Sequence, residues 1–245
     1  MRAWTVEDIR RLTQPHSDLS DQDRPLTLSN EDFRQIGETL EAFWQNEDEP
    51  GSFPYHAIMV SGLHTNGFVN VSTVLAETNV CEILATQMIK HMRLTQGNVD
   101  FVVGPGNAAI TISFEVARQL RARHGFTEKD EDGVPRKFGG RVRIQPGERV
   151  LIVNELMSTI AGSTFQCKQG ILKHQAQARI LPYVGVLVNR SGFDRLVDGT
   201  EVVSQCKYAM STWAPEDCPH CKAGSTAIKP KITEENWLKL TGKGA

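Results

Sequence analysis

The segment RVLIVNELMSTIAGST (residues 149–164) runs from four apolar residues, Val150, Leu151, Ile152 and Val153, straight into Asn154 and Glu155. A short apolar run bounded by turn residues reads as a buried strand of a parallel sheet. A carboxylate at the carboxyl end of such a strand stands where α/β sheets place their ligands. Small and hydroxyl residues follow, from Ser158 through Thr164, and then a helical pattern. Backbone N–H groups at that loop and helix start form a ready anion site. The segment therefore predicts a site for a hydroxyl-bearing sugar that carries a phosphate.

Outward from this segment, strand and helix patterns alternate. Val99 to Val103 is a second apolar run, closed by Gly104, Pro105, Gly106 and Asn107. Ile112, Val116 and Leu120 then recur at helical spacing, as do Ile83, Leu84, Met88 and Met92 earlier in the chain. Ser29 followed by Asp32 signals a helix N-cap, and Phe33, Ile36, Leu40 and Phe43 give that helix one apolar face. Residues 57–70 have strand and turn character, residues 164–174 are helical, and residues 179–188 form another strand. This order predicts an α/β fold with a parallel sheet flanked by helices. Residues 1–27 read as an appendage, 28–210 as the main domain and 211–245 as a tail.

Composition narrows the function classes. The 245 residues carry a net charge of −2, which argues against a general nucleic-acid binder. No apolar run is long enough to span a membrane, and the N-terminus lacks the apolar core of a secretory signal. Five cysteines at scattered spacing suggest reduced thiols in a cytoplasmic setting.

Residues 149–164 resemble the phosphoribosyl pyrophosphate (PRPP) motif of type I phosphoribosyltransferases. Other segments extend the likeness, in matching order, to orotate phosphoribosyltransferases of bacteria: Val60-Ser61-Gly62-Leu63-His64, residues 99–105, Phe114 to Arg118, and VGVLVNRSG at 184–192. The resemblance covers roughly residues 30–230. It implies a central sheet of about five strands with a smaller hood, to which the N-terminal third and residues 202–207 would contribute. The implied reaction joins orotate to PRPP, giving orotidine 5′-monophosphate and pyrophosphate, with Mg²⁺ as cofactor and a homodimer as the assembly.

The resemblance also implies roles. Glu155, with Asn154, would hold the ribose hydroxyls. Ser158, Thr159, Ala161, Gly162, Ser163 and Thr164 would cup the 5′-phosphate. Gly104, Pro105, Gly106 and Asn107 would bind pyrophosphate through main-chain amides, because glycine permits close approach. Lys129, in the charged loop 128–137 of a region, 127–140, expected to be mobile, would neutralise the leaving group, with Arg136 or Lys137 assisting. Ser158 and Arg190 would contact the base, the guanidinium forking onto the orotate carboxylate.

Three departures from the family pattern stand out. Asn154 occupies the place of the first carboxylate, the 158–163 loop is one residue longer than usual, and residues 69–73 lack a cation. They keep two other readings open: transfer to another base, or a fold retained as a ligand sensor or scaffold. At the C-terminus, Cys218 and Cys221 form a C-x-x-C pair around His220, with Cys206 upstream. These four can be counted as zinc ligands, but the adjacent His220 and Cys221 strain a tetrahedron, so no metal site is assigned to them. His56 and His64 read as turn residues.

Overall fold

The computed structural model describes residues 4–12, 27–46, 49–59, 61–129, 137–138, 142–158 and 161–243. The chain divides into two compact units: Met1–Thr39 with Val71–Ala209, and Leu40–Asn70 with Met210–Ala245. The expected division at 28–210 and 211–245 differs from this one, because residues 40–70 join the C-terminal segment. Most of the expected appendage, and the stretch 130–136, lie outside the described residues.

The first unit is built on a six-stranded sheet. Its strands lie in the order Glu201–Lys207, Arg179–Asn189, Arg149–Met157, Phe101–Pro105, Arg123–Glu128 and Lys137–Phe138. All neighbouring pairs are parallel except the last. Residues 202–207, expected in the hood, instead form the edge strand of this sheet. Arg123–Glu128 was not anticipated, because RHGFTE is polar and lacks an apolar run.

Side-chain alternation explains why both faces are covered. Phe101, Val103, Val150, Ile152, Val184 and Val186 point to one face, where Cys167 and Ile171 of the helix Gly162–His174 complete the core. On the other face Gly185 lies so close to Met88, in the helix Thr78–His91, that an added Cβ would meet its sulfur at 2.8 Å. The expected cap at Ser29 forms: its Oγ accepts from the Asp32 amide at 3.1 Å, and the Asp32 carboxylate accepts from the Ser29 amide at 2.9 Å. That helix runs Asn30–Thr39 and stops short of Phe43, which begins a separate strand, Phe43–Gln45.

Chain order and sheet order part company at the centre. From Phe101–Pro105 the chain moves to Arg123–Glu128 on one side, then crosses back to Arg149–Met157 on the other. At such a switch the connections leave in opposite directions and open a crevice beyond the strand ends. The registered pairs between the two strands are Phe101 with Val150, Val102 with Leu151 and Val103 with Ile152, and they go no further.

At the opposite ends the same strands are clamped. Asp100 accepts from Arg149 three times, from its amide at 2.8 Å, Nε at 2.9 Å and Nη2 at 2.7 Å. Chiefly these side-chain bonds from Arg149 hold the Asp100 carboxyl down to about 2, against an ordinary 3.8.

The second unit is smaller. Thr212–Trp213, His64–Thr65, Tyr55–Ile58 and Thr226–Ile228 form a four-stranded sheet in that order. Phe43–Gln45 pairs antiparallel with Gly67–Val69. The helix Glu234–Thr241, capped by the Thr233 hydroxyl on the Asn236 amide, buries Trp237 and Leu240.

Two outcomes follow. An added Cβ at Gly104 would strike Ser113 Oγ and meet the Ala109 carbonyl at 2.9 Å. Gly104→Ala should therefore lose about 1–3 kcal/mol of stability, read from the denaturant midpoint. A depressed carboxyl stabilises above its unfolded pKa, and that contribution drains away as pH falls from 3.8 toward about 2. Asp100→Asn should flatten the acid limb of a stability–pH curve over that window.

Candidate active site

Each connection at the switch point brings its own chemistry. After Phe101–Pro105 the chain turns through residues 106–109 into the helix Ile110–Leu120. Gly106 makes this turn possible: its amide donates to the Thr127 carbonyl at 2.7 Å, and a Cβ there would meet that oxygen at 2.9 Å. The turn's amides are thereby held against the Arg123–Glu128 strand, whose end carries Glu128 and Lys129.

On the other side, Arg149–Met157 continues four residues past the apolar run that ends at Val153. Glu155 is half-buried at this end, and its carboxylate accepts from the Leu156 amide at 2.8 Å. Asn154 is 1% exposed, and its Nδ2 donates to Ser163 Oγ at 3.1 Å and to Thr164 Oγ1 at 3.0 Å. The strand end is thus fastened to the first turn of the helix Gly162–His174. The first backbone bond closing that turn runs from the Phe165 amide to the Ala161 carbonyl, so the amides of Gly162, Ser163 and Thr164 precede the helical ladder. Ala161 sits at the cap with φ of 47°, in the left-handed region.

Between these connections lies a cleft of about 720 Å³. It brings together Pro105, Gly106, Asn107, Lys129, Asn154, Glu155, Ser158 and Ser163, all singled out from the sequence. Ala108, Glu128 and Leu156 line it too and were not anticipated. The only sequence signal for Glu128 was its place beside Lys129. Gly104 stays inside its strand, buried behind the turn, while Thr164 is buried under Asn154. Arg190 follows Arg179–Asn189, and its amide donates to the Met157 carbonyl at 2.9 Å. Burial lowers its guanidinium pKa from the ordinary value, partly offset by Tyr208. Thr159 and Ile160 lie outside the described residues.

The orotate phosphoribosyltransferase of Pelotomaculum thermopropionicum is 34% identical over 176 residues, which cover 71% of this chain and 87% of that protein. The enzyme of the same name from Caldicellulosiruptor bescii is 30% identical over 175 residues, with 71% and 87% covered. The chain belongs to the orotate phosphoribosyltransferase family. No family model matches it. Among solved structures, the orotate phosphoribosyltransferase of Aeropyrum pernix matches with a TM-score of 0.57 at 13% identity, over 71% of this chain and 93% of that one. The Mycobacterium tuberculosis enzyme gives 0.51 at 13% identity, over 71% and 95%. At such identity these two matches speak for the fold, a type I phosphoribosyltransferase sheet flanked by helices.

Membership in the orotate phosphoribosyltransferase family makes the Ala161 conformation a local test of the cup. An L-residue in the left-handed region costs about 1–2 kcal/mol, and glycine avoids this at some entropic expense. Ala161→Gly should raise stability by about 0.5–1 kcal/mol, seen as a higher melting temperature.

Proposed function

We propose that this chain transfers a 5-phosphoribosyl group from PRPP to orotate, giving orotidine 5′-monophosphate and pyrophosphate. The observation that carries the reading is the convergence in one cleft of Glu155, the Gly162–His174 N-terminus, the 105–108 turn and Lys129. In this reading the 5′-phosphate sits on the amides of residues 162–164, where the helix dipole favours an anion. Glu155 accepts from the ribose hydroxyls. Its negative charge also steadies the cationic character of C1′ as the bond to pyrophosphate breaks. The ring nitrogen of orotate supplies the electron pair that forms the new C1′–N bond. Departing pyrophosphate gathers negative charge, which the Asn107 and Ala108 amides and Lys129 offset. Arg190 is the group assigned to the orotate carboxylate.

The cleft's own charge bears on the cofactor. Glu128 and Glu155 oppose a bare polyanion, while a cation-bound PRPP is far less repelled. Their carboxylates and the Asn107 amide oxygen are hard ligands of the kind Mg²⁺ prefers, so the residues present fit the ion. When bound it would neutralise pyrophosphate oxygens and help orient the ribose. The homodimer implied by the resemblance and the cytoplasmic location expected from the cysteine pattern belong to the same proposal. Five cysteines present as thiols support a reducing compartment, and no helix among the described residues is long and apolar enough to cross a membrane.

One observation favours the sensor reading: a neutral amide, Asn154, where the family pattern has a carboxylate. The two readings part experimentally. Calorimetry should detect PRPP binding that strengthens with Mg²⁺, and orotate should then be consumed with release of pyrophosphate. Absence of PRPP binding would sink the transferase reading, while binding without turnover would favour the sensor. Lys129→Ala should lower kcat by about 10²-fold or more with little change in fold, because its charge is used mainly as the leaving group develops. Asn154→Asp should weaken PRPP binding by about 10–10²-fold, the loss expected when a donor network to an anion is reversed and a like charge added. A gain of activity in that variant would instead mark Asn154 as a lesion.

A further inference from the structure

His56, His64, Cys218 and Cys221 lie far apart in sequence and meet inside the second unit. One potential ligand atom from each lies within 4.8 Å of all the others. His56 Nε2 stands 3.0 Å from His64 Nδ1, 3.5 Å from Cys218 Sγ and 3.6 Å from Cys221 Sγ, while His64 Nδ1 stands 3.3 Å from Cys221 Sγ. Ordinary Zn–N and Zn–S bond lengths in a tetrahedron require edges of about 3.3 Å between nitrogens and about 3.6 Å between nitrogen and sulfur. The observed separations fall close to those edges. We propose that His56, His64, Cys218 and Cys221 form a structural zinc site.

Local structure brings the four together. Ile58 pairs with His64 across an antiparallel ladder, so His56, two residues back on the same face, is its diagonal neighbour. Cys218 precedes the short helix Pro219–Lys222, and the x-x spacing returns Cys221 to the same side. That is the usual thiolate spacing of a zinc knuckle. A second layer orients one ligand: Ser225 Oγ lies 3.0 Å from His56 Nδ1. With Nδ1–H donating to that hydroxyl, the Nε2 lone pair faces the cluster. Four protein ligands leave no open position, so the site is structural rather than catalytic.

In the sequence no metal is assigned to the C-x-x-C pair, and His56 and His64 read as turn residues; the structure places both histidines in strands, Tyr55–Ile58 and His64–Thr65. His220 is not among the four: it stacks on His56 at 5.4 Å and meets Trp213 edge-on at 5.2 Å, packing behind the ligand. Cys206 belongs to the edge strand of the first unit's sheet. A redox role for the C-x-x-C pair fits poorly. Each sulfur faces imidazole nitrogen at 3.3 to 3.6 Å, the surroundings of a metal ligand. A structural ion suits the unit. Among its described residues, the larger apolar side chains that are buried come down to Phe43, Val69, Trp237 and Leu240. A core that small gains from a cross-link joining its two chain segments.

The test uses the full chain with any purification tag removed. Elemental analysis should find about one zinc per chain, falling below about a tenth in Cys221→Ser and unchanged in Cys206→Ser. Cobalt(II) added to chelator-stripped wild-type protein should give the intense visible bands of a tetrahedral site and a thiolate charge-transfer band. His64→Asn should weaken the former and keep part of the latter. Chelation should lower the melting temperature, and zinc should restore it. The proposal is overturned if folded wild-type protein takes up neither zinc nor cobalt in stoichiometric amount, or if bound cobalt shows no thiolate band. These readouts use neither PRPP nor orotate, so their failure is distinct from failure of the transferase reading.

Discussion

Asp100 and Arg149 tie the starts of two neighbouring parallel strands through three hydrogen bonds, while the registered pairing between those strands ends three residues later. Clamped at one end and released at the other, the strands must diverge, because their onward connections leave on opposite sides of the sheet. The cleft is the space so created. Each wall inherits what a strand end naturally offers: a carboxylate and a helix N-terminus from one, and from the other a tight amide turn, beside which Arg123–Glu128 brings Lys129. No deep hydrophobic pocket is needed, since a phosphorylated sugar is gripped by dipoles and hydrogen bonds rather than by burial.

Much of this was legible. The apolar run 150–153 and the turn 104–107 each marked a buried parallel strand, and Ser29 with Asp32 marked a helix start that forms with the expected reciprocal bonds. What failed had physical reasons. Arg123–Glu128 alternates only weakly, because one flank meets solvent and Gly125 must stay bare against Phe101 and Phe138. Residues 202–207 resembled an accessory strand by position in the chain, yet nothing in a single sequence states which sheet edge a strand joins. Phe43 kept the helical spacing of Phe33 and Ile36 although the helix ends at Thr39. The four-residue Cys/His cluster was half visible: the C-x-x-C pair announced itself, but the histidines come from strands whose pairing only the fold reveals.

The electrostatics of the cleft follow from the same geometry. Strand ends in parallel sheets collect side chains of either sign within a few ångströms, and here two carboxylates face one lysine. A site built this way repels an unaccompanied polyanion and accepts the same anion once a divalent ion has masked it. In the proposed reaction, selectivity for a metal-bound substrate would need no dedicated protein cage, only a modest excess of carboxylate at the mouth.

Asn154 is best understood through the polarity of the hydroxyls it touches. Its amide nitrogen donates to Ser163 and Thr164, so each hydroxyl receives a proton from within and keeps its own to give. Ser163 opens onto the cleft, and a hydroxyl in that state is a donor aimed at an anion. A carboxylate at position 154 would draw both hydroxyl protons inward and turn lone pairs toward the phosphate. In the proposed reaction the neutral amide gives up one ribose-binding charge and strengthens the cup beneath it. Grip on the sugar would then fall to Glu155, and the balance of binding would shift from the ribose toward its 5′-phosphate.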